Sequence, residues 1–449
     1  MAKSKVTARD VQRAFQIHEI FFSTTDRAGV IRSGNEVFRR VAAYDSIEEM
    51  IGKPHNIIRH PDMPRAAFKL LWDYLEARKP VVVYVKNMAT DGCYYWVVAL
   101  VVPAADGYLS VRFKPSSDYF PVVRKLYDEL LDIEKGHGQR GKVRTDGMLA
   151  AGERLIAALK DLGFEDYDQF MQIALATEMG SRAGKIKDLE EEGQEGVDSE
   201  FGDRLKRCEA LDQRLDLLFK QVGTFLQLIE NLQSKSSFLG QLADEIHLLS
   251  LNSLIAAHHL ADDGRALAVV ADDLASISIE SARIIQEMGG DIHDLIAGLR
   301  SVAFGISAAK LQVAMSIVFL KELIVGDMSH PEHMARNERD LQTLADSFDQ
   351  SLQGITSTLP SLQQPMSQLI RHLSLLAATI RALSRVHLIG KIEAAHLGSA
   401  TTFQQVFEEV YSLLGSGKRE LEDFTASISL LNEQIPTFTK ESTRLLSAA

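Results

Sequence analysis

The chain has 449 residues, 46% of them hydrophobic and 24% charged, with a net charge of −12. That is more than one core usually serves, and too acidic for a nucleic-acid or anionic-membrane binder, whose phosphate contacts need a basic face. The two cysteines, Cys93 and Cys208, are far apart without metal-ligand spacing, which excludes a disulfide framework and a cysteine zinc site and fits a reducing cytoplasm.

No charged-then-apolar leader opens the chain, and no uncharged apolar run reaches the roughly 18 residues that a membrane span needs. The best candidate, 306–325, carries Lys310, Lys321 and Glu322, so no transmembrane segment is expected. Residues 1–20 read as a helical lead-in and 21–118 as a compact α+β block. Within it, 81–85, 94–102 and 109–113 join β-branched and aromatic residues between Gly or Pro boundaries, as buried strands do. Residues 47–50 and 66–76 are expected as helices. A helix near 120–135 leads into glycine-rich GHGQRGK, 136–142, a flexible linker by composition. The connector, 119–190, includes a short helical block at 148–181 to which the sequence assigns no role. The acidic run 189–198 reads as a solvated charge cluster.

Beyond it the chain is helical. Leu211, Leu215, Leu218, Val222, Phe225, Ile229 and Leu232 recur at alternating steps of four and three, the spacing of a heptad seam. A second seam runs Leu267, Val270, Leu274 and Ile277 and resumes at Met288, Ile292, Leu295, Leu299 and Val302. A third begins at Leu341 and continues to Leu383. Pro360 and Pro365 should bend that third helix, because each removes an amide donor and crowds the preceding turn. The expected fold is an α+β domain followed by an all-α antiparallel bundle of long helices, one hairpin at 191–325 and a second at 331–449.

Residues 23–116 are similar to the flavin-binding PAS domain of aerotaxis receptors. The likeness rests on FFSTTD with Gly29 and Ile31, on Asn35 and Phe38, on IGKPH (51–55), RHPDMP (59–64), Val85-Lys86-Asn87, Asp91-Gly92, Tyr95-Trp96 and SVRFKPS (110–116). It implies a five-stranded antiparallel sheet with helices over a ligand cavity. It also implies FAD as cofactor, with Asn35, Arg59, His60, Asp62, Trp72 and Asn87 in contact. Arg59 suits a phosphate, since a guanidinium donates two parallel hydrogen bonds. The bland alternative makes Trp72 core and Arg59 with Asp62 a helix-capping ion pair. Haem, with His60 as axial ligand, is a further possibility. Val81 and Val83 stand where the family has Trp and Gly, and Ala43 where it has the Gly of SGY; Val83 would narrow the pocket.

Residues 246–274, IHLLSLNSLIAAHHLADDGRALAVVADDL, resemble the hairpin tip of methyl-accepting chemotaxis receptors, with Asp262-Asp263-Gly264 as the reversal. The resemblance implies a signalling tip at Leu251, Asn252, Ile255, Gly264, Arg265, Val269 and Val270, and a chemotaxis histidine kinase and its adaptor as partners. Ala256 and His259 replace the family's Glu and Arg, which implies altered kinase coupling and no stable trimers of dimers. No Glu/Gln pair stands in the context used for adaptational methylation. Residues 391–414 form a weaker second copy at an offset of 137, pairing Ile255 with Ile392 and His259 with His396. If the repeat holds, two hairpins in one chain build a monomeric pseudo-dimer, or at most a weak homodimer.

Catalytic signals are poor. Gly289-Gly290-Asp291 lies in a heptad helix, His258 and His259 point apart on a helix, and neither a P-loop nor a nucleophile elbow is present. The sequence therefore reads as a cytoplasmic, non-enzymatic redox or oxygen sensor that relays cofactor state to a chemoreceptor-like bundle. The other class it admits is a cofactor-free PAS scaffold for protein association.

Overall fold

The computed structural model describes residues 6–137, 141–186, 200–259, 265–326, 331–396 and 401–446. The chain divides into two compact units: one of Met1–Gly223, Arg300–Ile355 and Ser442–Ala449, the other of Thr224–Leu299 and Thr356–Glu441.

The first unit is built on the expected antiparallel sheet. Its strands are β1 (Ile20–Asp26), β2 (Ile31–Gly34), β3 (Val81–Met88), β4 (Tyr94–Ala104) and β5 (Gly107–Phe113), in the order β2-β1-β5-β4-β3. Between β2 and β3 run α1 (Glu36–Val41), a 3-10 turn (His55–Ile58) and α2 (Arg65–Glu76). Ser23 pairs with Ser110 and Phe21 with Arg112, and because side chains alternate across a strand these residues share the inner face.

Two expectations fail here. Residues 6–19 contain no helix: Tyr94 N–H donates to Val11 O at 2.9 Å and Arg13 N–H to Tyr94 O at 2.7 Å. The start of β4 offers backbone groups that an extended segment satisfies. Residues 47–50 form turns, closed by Met50 N–H to Ile47 O at 2.9 Å and ended at Gly52, whose φ is +77°.

Nor is the 119–190 connector separate from the sheet domain. After α3 (Tyr119–Gly136) come α4 (Gly141–Asp161) and α5 (Tyr167–Ile186), so the expected linker supplies the last turn of one helix and the first of the next. The Tyr127 hydroxyl of α3 donates to Tyr84 O at 3.0 Å, and that of Tyr167 in α5 to Val82 O at 2.7 Å. Buried Glu178 in α5 accepts from Tyr84 Oη at 2.8 Å, Ser116 N at 2.7 Å and Ser117 N at 3.0 Å. α3 and α5 thus pack on the outer face of β3, while α4 packs against α2 and α3.

Over β1 and β2 the outer face meets the long helices. α6 (Glu200–His259) is followed by α7 (Arg265–Val325) and α8 (Pro331–Ser361). Phe319 of α7 packs edge-on against Phe22 at 4.9 Å. The expected hairpin boundaries at 191 and 331 therefore do not match the units, because parts of α6, α7 and α8 join the sheet's core.

The second unit is an antiparallel four-helix bundle of α6, α7, α9 (Gln363–His396) and α10 (Thr401–Leu446). Ser278 of α7 donates to Ala243 O of α6 at 3.2 Å, and His372 of α9 meets Asp291 of α7 at 2.9 Å. Lys235 of α6 pairs with Glu420 of α10 at 2.7 Å, and Lys391 of α9 with Glu408 of α10. Phe225 packs against Phe438 with ring centroids 4.9 Å apart and the planes tilted by 42°. From Leu215 onward the seam residues are buried except Ile277, which is half-buried, and the apparent lapse between Leu274 and Met288 is filled by Ser278, Ser281 and Ile284. Ser281 Oγ reaches Thr379 Oγ1 at 3.1 Å, a polar layer in the seam. α8 ends one residue after Pro360 and α9 starts after Leu362, as the prolines require.

By length and composition two segments, α7 and Pro331–His396, are long and apolar enough to cross a membrane; the windows concerned are 67% and 33% buried within the protein.

Candidate ligand cavity and helical tip

Between the inner face of the sheet and α2 lies a cavity of about 450 Å3. Its apolar walls are Phe68, Leu71, Trp72 and Leu75 from α2 and Val85, Ala99 and Val101 from β3 and β4. Gly29, at φ +77°, faces Trp72: a Cβ there would sit 3.0 Å from the indole, so glycine is needed both for the turn and for the approach. Met148 and Thr145 of α4 complete the lining.

Polar groups enter this cavity from the strands. Asn87 Nδ2, Ser110 Oγ and Arg112 Nη1 are buried, line it, and have no hydrogen-bond partner among the described residues. Unmade hydrogen bonds of this kind cost about 1–3 kcal/mol each, which marks them as places for a ligand. Arg112 Nη2 donates to Ser23 Oγ at 3.0 Å and lies 2.7 Å from His55 Nε2. Burial pulls the Arg112 guanidinium down to about 10. Burial, then the charge of Arg112, pushes His55 well below its usual value, so the imidazole is neutral and accepts at Nε2.

A second, polar hollow of about 360 Å3 adjoins the first, sharing Asn56, Arg59 and Arg65 and adding His60, Glu134 and Lys135. Arg65 Nε donates to Glu134 at 2.9 Å, and Glu134 also caps α2 by accepting from Ala66 N at 2.9 Å. Arg59 lies 3.9 Å over the Phe68 ring and donates to Met63 O at 3.0 Å.

Of the six residues implied by the resemblance, Arg59, Trp72 and Asn87 line the main cavity, and a backbone bridge joins Arg59 to Asn87. His60 lines only the polar hollow; its Nδ1 accepts from Asp62 N at 3.0 Å, and burial and Lys86 lower its pKa. A haem ligated by His60 therefore has no support from the main cavity, whose histidine is His55. Asp62 is half-exposed, 3.5 Å from Lys86, and lines neither space. Asn35 lies elsewhere: it caps α1, its Oδ1 accepting from Phe38 N at 3.4 Å and Phe22 N at 3.1 Å. Val81 and Val83 do not line the cavity, so Val83 does not narrow it. Sequence reading passed over His55, Ser110 and Arg112, although IGKPH and SVRFKPS contain all three; an arginine alternating with apolar residues in a strand was the available signal.

At the tip, Leu251, Ile255 and Val269 are exposed by 39%, 59% and 62%. Asn252 and Arg265 are exposed and Val270 belongs to the buried seam. Gly264, with the Asp262-Asp263-Gly264 reversal, and the side chains of Ala256 and His259 lie outside the described residues, as does the acidic run 189–198. In the second copy Leu388 and Ile392, at the expected offset from Leu251 and Ile255, are exposed by 58% and 49%.

No family model matches the chain. It is 39% identical over 113 residues to the aerotaxis receptor of Escherichia coli, a match covering 24% of this chain and 22% of that one. It is 19% identical over 427 residues to the biofilm dispersion protein BdlA of Pseudomonas aeruginosa, covering 78% of this chain and 96% of that one. The methyl-accepting chemotaxis protein TlpQ of Pseudomonas aeruginosa is 26% identical over 157 residues, 33% of this chain and 22% of that protein. The chain thus spans about a fifth of the aerotaxis receptor's length and nearly all of BdlA's. Among solved structures, a light-oxygen-voltage domain studied with a flavin analogue and the light state of the Aureochrome1 LOV domain are similar to 24% of the chain. They are 22% and 21% identical, with 87% and 90% of those chains covered and TM-scores of 0.22.

Sheet order, crossing helices and the matched stretch make the N-terminal part a PAS domain. The chain as a whole is a PAS domain fused to a chemoreceptor-like helical signalling domain.

Proposed function

We propose that the chain is a cytoplasmic redox or oxygen sensor whose PAS cavity holds FAD and whose helical domain passes the signal to a chemotaxis-type histidine kinase and its adaptor. The carrying observation is the cavity itself: a largely apolar space whose lining includes three buried polar atoms, on Asn87, Ser110 and Arg112, without a partner among the described residues. A ring with apolar faces and a hydrogen-bonding edge meets both demands. The adjoining hollow, with Arg59, Arg65 and Lys135, suits a diphosphate tail and favours the dinucleotide. Bound flavin supplies reversible electron uptake and visible absorption. On the protein's side, Arg112 and Ser110 fix the ring edge, Trp72 and Leu71 exclude water, and Arg112 links the cavity to Ser23 on β1. Phe22 and Thr24 project from the same strand to the opposite face, toward α7 and α8, so a change felt at Arg112 has one strand to cross. In the helical domain, the exposed apolar residues Leu251 and Ile255 offer a surface for the adaptor.

Purified protein should carry a yellow chromophore released by heat. Colourless protein that stays colourless after incubation with FAD would overturn the reading, and a Soret band would replace flavin by haem.

A further inference from the structure

α4 lies outside residues 23–116, the stretch that resembles flavin-binding PAS domains, yet it reaches the ligand cavity. Along it Met148, Ala151, Leu155 and Leu159 recur at steps of three and four, so they share one apolar face. Ala151, Leu155 and Leu159 are buried, the two leucines lining one small gap with Ala67 and Leu70 of α2. Met148 differs from them. It is half-buried, since at its end of the stripe the helix borders the cavity rather than α2.

Gly147 fixes that placement. It is buried, and a Cβ on it would lie 2.8 Å from Cβ of His137 and 3.3 Å from the carbonyl oxygen of Glu134, so glycine lets α4 start flush against the end of α3. Glu134 is in turn tied to α2 through Arg65 Nε and Ala66 N, and Arg154 of α4 donates to Glu129 of α3 at 2.9 Å. Met148 is thus held beside the cavity by α2 and α3 together, with Thr145 one turn earlier at the exposed margin of the same lining.

We propose that α4 is part of the ligand site: Met148 packs against the bound ring and Thr145 stands at the mouth, so a helix outside the PAS domain decides, together with Trp72, how large and how apolar a ligand the cavity takes. Flavin as the occupant, on which this assignment rests, brings an aromatic system to the Met148 thioether, a contact methionine makes readily because its sulfur is polarisable and its chain adapts to irregular gaps. The occupant also completes the burial of the stripe. α4 leads through Gly163 into α5, which holds Tyr84 of β3 through Glu178, so the block at 148–181 acquires a role as the continuation of a ligand-contacting helix.

Methyl spectra of the full chain, labelled at its methionine methyl groups and titrated with FAD, test this, with Met148→Leu assigning the resonance. The Met148 methyl should show a nuclear Overhauser effect to flavin ring protons, and that of Met50, buried and outside the cavity, should show none. Met148→Ala should weaken FAD binding about two- to tenfold, the worth of a sulfur–aromatic contact. FAD that binds without an effect at Met148, or with the same affinity in Met148→Ala, removes α4 from the site and leaves the flavin reading standing. Native protein that takes up no FAD overturns both.

Discussion

Arg112 Nη2 lies 2.7 Å from Nε2 of His55 in the wall of the PAS cavity, a buried cation held by a neutral imidazole rather than by a carboxylate. A cation without a counter-ion is costly in a protein interior, and the pair becomes intelligible if a ligand brings the missing acceptor.

Replacing Arg112 by Leu should therefore have opposite effects on the two states. The ligand-free domain should be no less stable, while affinity for FAD should fall about ten- to a hundredfold, the worth of a charge-assisted hydrogen bond of about 1.5–3 kcal/mol. Fluorescence titration with FAD and thermal melts of the ligand-free protein measure the two halves. Unchanged affinity would remove Arg112 from the site.

His55 gives a pH prediction. Its pKa is depressed in the folded state, so its contribution is complete above the unfolded value near 6.5. Below that value the unfolded chain binds a proton that the native site refuses, and stability falls by at most about 1.4 kcal/mol per pH unit. Denaturant melts of the native protein and of His55→Gln should diverge below pH of about 6.5, the variant being flatter.

Much of this architecture is legible in the chain because local pattern and burial agree. β3 and β4 are runs of Val and aromatic residues buried on both faces, and the heptads mark long helices whose seam residues are mostly buried. What was not legible depends on contacts made at a distance. Residues 6–19 are extended because Tyr94 offers hydrogen bonds, and 148–181 belongs to the PAS unit because Glu178 collects Tyr84, Ser116 and Ser117. Half of the candidate site was readable, since Arg59, Trp72 and Asn87 sit in motifs. His55 and Arg112 acquire meaning only when the sheet places them side by side, and Asn35, read as a ligand contact, is turned outward to Glu322.

Glu178 should be the strongest single tie between α5 and the sheet. Its removal in Glu178→Ala leaves the Tyr84 hydroxyl and the Ser116 and Ser117 amides without their acceptor, a loss of about 3–4 kcal/mol if each costs about 1–3 kcal/mol and some rehydrate. Urea unfolding would show it. A loss below about 1 kcal/mol would mean that α5 is held by its apolar contacts alone.

Ala43 occupies a backbone conformation of φ +58°, where a side chain is strained and glycine is not. Its carbonyl accepts from the Thr90 hydroxyl, and Thr90 N–H donates to Ala42 O at 3.0 Å, so the turn is fixed from outside. Ala43→Gly should stabilise the domain by about 0.5–1 kcal/mol. A lower melting temperature in the variant would show that the turn relaxes once the methyl group is gone.

The bundle yields the most general prediction. Its four helices close a ring of contacts within one chain: α6 on α7 through Ala243 and Ser278, α7 on α9 through Asp291 and His372, α9 on α10 through Lys391 and Glu408, and α10 on α6 through Glu420 and Lys235. A hairpin of two such helices exposes its seam and needs a second copy, but here the seam of each hairpin is covered by the other. The full chain should therefore sediment as a monomer or weak dimer, and a chain ending at Val325 should dimerise or aggregate. Cross-linking decides whether the ring is internal. Leu242 of α6 stands against Gly417 of α10, so the pair Leu242→Cys with Gly417→Cys, bridged by a short reagent, should give a product of single-chain mass. Products of double mass only, from a chain that sediments as a stable dimer, would mean that the helices are exchanged between copies and that two hairpins in one chain do not complete each other.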